Sequence, residues 1–372
     1  MHVGAPKEIK NNEFRVGLTP SSVAELANAG HTVLIERRAG EGAGITDDEY
    51  AAAGALLVDG PEELFAKSGI VVKVKEPQPQ EVKLLRPDHV LFTYFHLAAD
   101  AGLTRALMAS GAQCVAYETV TAPNGSLPLL APMSEIAGRL APQMGARFLE
   151  RHEGGRGVLL SGAPGVPPAD VLILGAGNVG AQAATIAMGM GANVLVADRN
   201  IDALRRLSAT LGSGLRTIYS TRTSIAECIR RADLVICAAL APGARAPILV
   251  TKNMLKTMKR GSVIVDVAID QGGSCETSRP TTHSEPVYTV DGVVHYCVTN
   301  MPGVVPRTST FALNNATLPF VLALADKGWR RALHDDPHLR AGLEIAGGRV
   351  VSAAVAETHG LPFTNALEVL KG

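Results

Sequence analysis

The segment Asp170-Val-Leu-Ile-Leu-Gly175-Ala-Gly177-Asn-Val-Gly180 sets three glycines in GxGxxG spacing straight after an apolar run. A stretch of small residues follows, then a second strand-like run, Asn193–Ala197, which ends at Asp198. Strand, glycine turn, helix and a second strand closing on an acid are the context in which that spacing signifies a dinucleotide site. Gly175 permits the tight turn, Gly177 lets a pyrophosphate approach the backbone, and Gly180 lets helix and strand pack closely. The helix start offers unpaired N–H groups to phosphate. Asp198 would accept hydrogen bonds from ribose hydroxyls and repel a 2′-phosphate, which favours NAD over NADP. Arg199 beside it softens that preference. The competing readings are an ordinary glycine turn and an FAD site, although flavoenzymes usually carry this motif at the extreme N-terminus rather than in mid-chain.

A chain of 372 residues suits two domains. Short runs rich in β-branched residues (Thr32–Ile35, Gly69–Val72, Val90–Thr93) alternate with helix-like stretches such as Pro20–Ala29 and Leu103–Ala109. A second series starts near Ala169, with strands expected at Val171–Leu174, Asn193–Ala197, Leu215–Tyr219, Leu234–Cys237 and Ser262–Asp266. Alternation of this kind implies parallel sheets covered by helices. The expectation is an α/β fold of two doubly wound parallel-sheet domains, the second a Rossmann NAD-binding domain, joined by long helices. Pro132–Arg151 and Thr310–Ala325 have helical spacing and supply the joins. The tail from Pro306 reads as mainly helical and too short to be a domain, so it should pack on the first unit. The expected domains are therefore residues 1–130 with 306–372, holding substrate, and residues 131–305, holding NAD. Glu153–Pro168, rich in Gly and Pro, reads as an exposed connector.

Composition removes several classes. The formal net charge is zero and only 19% of residues are charged, so there is no electrostatic footprint for nucleic acid or an anionic membrane. The five cysteines form no CxxC pair, which argues against disulfides and structural zinc and for a reducing cytoplasm. His334 and His338 are four apart, but Asp335-Asp336-Pro337 between them reads as a loop, and no metal is expected. The start Met1-His2-Val3-Gly4 lacks the pattern of a secretory signal. Val171–Ala197 is uncharged and long enough to span a bilayer. Its glycines and Asn178, Gln182 and Asn193 divide it instead into strand, turn, helix and strand.

Five blocks carry a resemblance: Pro6-Lys-Glu-Ile-Lys-Asn-Asn-Glu-Phe-Arg15-Val-Gly-Leu-Thr-Pro20, Lys73-Val-Lys75-Glu-Pro77, Leu91-Phe-Thr-Tyr-Phe-His96-Leu-Ala, Val265-Asp-Val-Ala-Ile-Asp270-Gln-Gly-Gly, and Asn300-Met301-Pro-Gly-Val-Val-Pro306. Together, in this order, they resemble alanine dehydrogenases across essentially the whole chain. The soluble part of proton-translocating transhydrogenase is a related family. The resemblance implies that Arg15 and Lys75 hold substrate and that His96 and Asp270 do proton work. It implies cofactor contacts at Ser134, Asn178, Val179, Asp198, Ser220, Ala239, Leu240, Val267, Ala268, Ile269, Asp270, Arg279, Val298, Thr299, Asn300 and Met301. It also implies a homohexamer acting on small molecules (L-alanine, pyruvate and ammonium). One departure is Ala203, where the family has a lysine that can reach the adenosine end.

These residue types suit that chemistry. A guanidinium fork such as Arg15 matches a planar carboxylate with two hydrogen bonds, although the residue alone also reads as a surface arginine. Lys75, taken as the end of a strand Gly69–Lys75, sits where α/β ligands bind, or else Lys73 and Lys75 cap an exposed strand end. His96 follows an apolar run and titrates near neutrality as a general acid requires, or else is a satisfied core histidine. Asp270 precedes a Gln-Gly-Gly turn. Asp266, inside an apolar run, reads as structural.

Overall fold

The computed structural model describes residues 1–239 and 246–371. The chain forms two compact units, Met1–Met133 with Val305–Gly372, and Ser134–Val304. It leaves the first inside the helix Ala131–Phe148 and returns just before the helix Pro306–Lys327.

The first unit opens with six strands, β1 (His2–Ala5), β2 (Thr32–Glu36), β3 (Leu56–Val58), β4 (Ile70–Val72), β5 (Val90–Thr93) and β6 (Gln113–Ala116). They pair in parallel in the order β6-β5-β4-β1-β2-β3. Every residue of β4, β5 and β6 is buried, as central strands covered on both faces require. The chain runs outward from β1 through β2 and β3, then restarts at β4 on the other side of β1. That reversal leaves a crevice at the carboxyl ends of β1 and β4.

The second unit contributes β7 (Asp170–Leu174), β8 (Asn193–Asp198), β9 (Arg216–Tyr219), β10 (Leu234–Cys237), β11 (Val263–Asp266), β12 (Val287–Val290) and β13 (Val293–Tyr296). Their order is β12-β13-β11-β10-β7-β8-β9, with the same reversal between β7 and β10. All pairs are parallel except β12 with β13. That antiparallel hairpin was not anticipated. Its turn is Asp291-Gly292, both at positive φ (50° and 82°), the backbone of a type I′ turn.

On return to the first unit the chain adds β14 (Leu343–Ala346), antiparallel to β6, and β15 (Arg349–Val350). The tail is mainly helical, as expected, but these two short strands were not anticipated. Leu343-Glu-Ile-Ala is four residues long and pairs irregularly with β6, so no alternation signals it. Lys75 is also re-placed. The strand stops at Val72, because the Glu8 carboxylate takes the amides of Val74 (2.6 Å) and Lys75 (3.3 Å) away from the sheet.

Candidate active site

In the second unit the glycine turn connects β7 to the helix Asn178–Gly189. Gly175 has φ +117°, and a Cβ there would meet the Ala238 carbonyl at 2.8 Å. A Cβ on Gly180 would sit 1.8 Å from the Gly175 carbonyl oxygen, so only glycine lets this helix pack on its own turn. At Gly177 a Cβ would meet nothing within 4 Å, leaving that face of the turn open. The following helices are capped by the side chains of Asn200, Thr221 and Thr251. The Asn178 helix begins at Gly177 with no side-chain cap, so its first amides, at Asn178 and Val179, await an acceptor from outside the helix. An anionic pyrophosphate fits such a start. Asp198, at the end of β8, accepts from the amides of Ala176 (2.5 Å) and Asn200 (2.7 Å). Its carboxylate is thereby fixed beside the turn with lone pairs to spare for ribose hydroxyls. NAD is thus accommodated by this chain's own groups.

The other candidate cofactor residues follow the ends of neighbouring parallel strands. Ser220 follows β9, Ala239 follows β10, Val267 to Asp270 follow β11, and Val298, Thr299, Asn300 and Met301 follow β13. Parallel pairing puts these ends on one sheet edge. Ser134 instead lies in the helix Ala131–Phe148, and Arg279, exposed, stacks over the Tyr288 ring at 4.1 Å. Leu240 lies outside the described residues. Ala203 is buried in the helix Ile201–Leu211. Asp270 is exposed in the 3-10 turn Val267–Gln271. Asp266 is fully buried and holds that turn from beneath, accepting from Ala268 (3.2 Å), Ser274 (2.8 Å) and Cys275 (3.1 Å) amides and from the Ser278 hydroxyl (2.5 Å). Burial raises its pKa while these bonds lower it.

In the first unit Arg15, Lys75 and His96 follow β1, β4 and β5, three adjacent parallel strands. Arg15 is 2% exposed, which excludes the surface reading. Its Nε and Nη2 donate to the two oxygens of Glu13 at 2.6 and 2.5 Å, and Nη1 lies 3.1 Å from the Met133 sulfur. Glu13 therefore occupies the guanidinium edge expected to grip a substrate carboxylate. Val16 and Thr19 amides are held by Thr310 and Asn314 of the helix Pro306–Lys327, which fixes this loop.

Lys73 is fully buried between Glu8 (3.0 Å) and Glu81 (2.7 Å), so the exposed-end reading fails for it. Burial pushes the Glu8 carboxyl above its usual range, opposed by the Lys73 charge. Lys75 is half-buried. His96 has a left-handed backbone (φ 54°) and a side chain 51% exposed, which excludes a core histidine. Glu118 accepts from the amides of His96 (2.6 Å) and Phe95 (3.1 Å), and its carboxylate is 3.7 Å from His96 Nδ1. The Tyr94 ring lies parallel to the imidazole at 6.0 Å. Glu8, Glu13 and Glu118 were not anticipated. The sequence carries no local signal for Glu8, whose partner Lys73 lies 65 residues away, and only nearness for Glu13, two residues before Arg15. Among the described residues, no group of three His, Cys, Asp or Glu is placed to hold a metal.

A glycine turn opening an uncapped helix, an acid at the next strand end, and a separate unit offering cations and a histidine define an α/β nicotinamide-nucleotide dehydrogenase. The alanine dehydrogenase/PNT N-terminal domain model matches residues 4–137 and the C-terminal domain model residues 141–353. The chain belongs to the alanine dehydrogenase/PNT family. It is 55% identical over 370 residues to alanine dehydrogenase of Halomonas elongata, covering 100% of both chains. It is 51% identical to that of Bacillus subtilis, covering 100% of this chain and 98% of the relative. A solved L-alanine dehydrogenase superposes with a TM-score of 0.94 at 54% identity, over 97% of this chain and 99% of the other. A transhydrogenase from Sinorhizobium meliloti gives 0.83 at 28%, over 94% and 100%.

Proposed function

We propose that the chain is an NAD-dependent alanine dehydrogenase, converting L-alanine, NAD and water to pyruvate, NADH, ammonium and a proton, reversibly. The observation that carries this is a full-length likeness to alanine dehydrogenases in a chain whose first unit has Arg15, Lys75 and His96 in the segments that follow three adjacent parallel strands. The first unit is read as the substrate unit and the second as the NAD unit.

NAD supplies the acceptor for the hydride leaving C2 of alanine. Arg15, its plane fixed by Glu13, presents its guanidinium to the substrate carboxylate. Lys75 hydrogen-bonds the carboxylate or the C2 oxygen. His96 protonates the C2 oxygen in the reductive direction and takes that proton back in the oxidative one. Asp270 accepts a proton from ammonia or water around the imine stage. Acid–base assistance of this kind is worth about 10²–10⁴-fold. The assembly is read as a homohexamer, testable by light scattering against six times the chain mass. The cytoplasmic reading agrees with there being, among the described residues, no helix long and apolar enough to cross a membrane.

The test follows NADH absorbance with purified protein, pyruvate and ammonium, each omitted in turn, with glyoxylate and 2-oxobutyrate as alternatives. Oxidation that needs both partners and runs fastest with pyruvate is the expected result. NADH binding without oxidation would overturn it in favour of a transhydrogenase-type coupling module, the reading that the second structural likeness favours.

A further inference from the structure

The motif Pro6-Lys7-Glu8 belongs to the resemblance yet has no part in the chemistry above. Glu8 is 6% exposed, and its carboxylate has two tasks. Oε2 meets Lys73 Nζ at 3.0 Å, and Oε1 accepts the amides of Val74 (2.6 Å) and Lys75 (3.3 Å). From the other side, the Thr93 hydroxyl, fully buried at the end of β5, donates to the Lys75 carbonyl at 3.0 Å. The peptide groups flanking the Lys75 Cα are thus held on both sides just after β4 has ended. Glu81 completes the ion cluster from beyond Lys73, where it bonds Lys73 Nζ and the Gln78 amide (2.7 Å).

We propose that Glu8 and Thr93 are positioning residues for Lys75, fixing its backbone so that the ammonium group meets the substrate. This rests on the reading of Lys75 as a substrate-binding group. A lysine side chain has four rotatable bonds and loses binding strength if its anchor also moves. The Glu8 carboxylate accepts on both sides, from an ammonium and from amides. In Glu8→Gln one of those sides must face a donor with a donor. Glu81→Gln meets the same conflict between Lys73 and the Gln78 amide, so it is a matched control for damage to the cluster.

The experiment compares Lys75→Gln, Glu8→Gln, Thr93→Val and Glu81→Gln by pyruvate KM, kcat, NADH affinity from fluorescence titration, and thermal midpoint. Glu8→Gln should raise the pyruvate KM about tenfold, and Thr93→Val about threefold, with NADH affinity unchanged. Glu81→Gln should lose as much thermal stability as Glu8→Gln and keep its KM within about twofold. A KM that rises equally in Glu81→Gln and Glu8→Gln would overturn the proposal, as would folded Thr93→Val with a wild-type KM. If Glu8→Gln does not fold, Thr93→Val still decides. If Lys75→Gln keeps a wild-type KM and kcat, the reading of Lys75 falls and this inference with it. If Lys75→Gln is impaired while Glu8→Gln and Thr93→Val are silent, the inference alone falls.

Discussion

The two units share a sheet plan and differ in what they bury. Each has parallel strands whose order across the sheet reverses once, with candidate residues following their carboxyl ends. In the second unit that edge is made of backbone: a glycine turn, an uncapped helix start and a carboxylate tied to amides. Its buried acids are Asp233 and Asp266, and Asp266 is saturated with hydrogen bonds. The first unit buries Glu8, Glu13, Arg15, Lys73, Glu81 and Glu344. A nucleotide is recognised in the same way wherever it binds, so backbone suffices. A small acid offers only a carboxylate and a carbonyl, and side-chain charges must be carried into the interior to meet it. Buried charge is costly unless paired, which is why each cation there has its own glutamate.

The comparison is tested most strongly at the residues meant to act on substrate from each unit. His96→Gln and Asp270→Asn should each lower kcat about 10²–10⁴-fold. Both side chains lie at the surface, so thermal midpoints should scarcely move. A large loss of stability in either would return that residue to a structural role. Next comes Lys73→Met, which strands Glu8 and Glu81 and should cost about 3–5 kcal/mol in denaturant unfolding. An apolar truncation at an equally buried point of the second unit, Ile173→Val, should cost about 0.5–1.5 kcal/mol. Equal costs would mean that the first unit does not depend on its ion pairs.

This contrast also explains what the sequence could reveal. The nucleotide turn was legible because Gly175, Gly177 and Gly180 each answer a backbone constraint at fixed spacing, and β7 and β8 are apolar runs with clean ends. Arg15, Lys75 and His96 were legible only through resemblance, since a lone cation or histidine has no local signature. Their partners were not legible. Glu8 meets Lys73, and Glu118 meets His96, through the pairing of strands distant in the chain. The fork of Arg15 was assigned to substrate because nothing local showed that Glu13, two residues earlier, already takes it. Strand β14 escaped because Glu344 interrupts a four-residue run.

In the second unit the glycines give a smaller, paired effect. Gly180→Ala drives a methyl into the Gly175 carbonyl and should cost about 1–3 kcal/mol or more, with NADH binding lost. Gly177→Ala has room for its methyl, so stability should hold while NADH affinity falls, as calorimetric titration would show. Stability lost equally in both would mean that the open face at Gly177 is not kept for a ligand.

The mildest test concerns Glu344, 4% exposed on β14, whose Oε2 has no hydrogen-bond partner among the described residues. Burial first, and then the neighbouring Glu118 charge, raise its pKa well above the ordinary value of 4.5. The folded state therefore holds this proton where the unfolded state has released it. Stability contributed by the protonated form is present below the unfolded value and is lost as pH rises towards the folded one, at about 1.4 kcal/mol per pH unit within that window. Glu344→Gln carries a neutral amide of the same shape at every pH, so its unfolding free energy should fall less than the wild type's between pH 5 and 8, near pH values where a ~4.5 group is already ionised in the unfolded chain. Glu8 and Glu36, also raised by burial, keep their slopes in both proteins, so the difference between the curves isolates Glu344. Parallel curves would show that its carboxyl is not held neutral by burial. The first unit would then carry one unpaired charge in its interior, against the rule by which its other buried ions are matched.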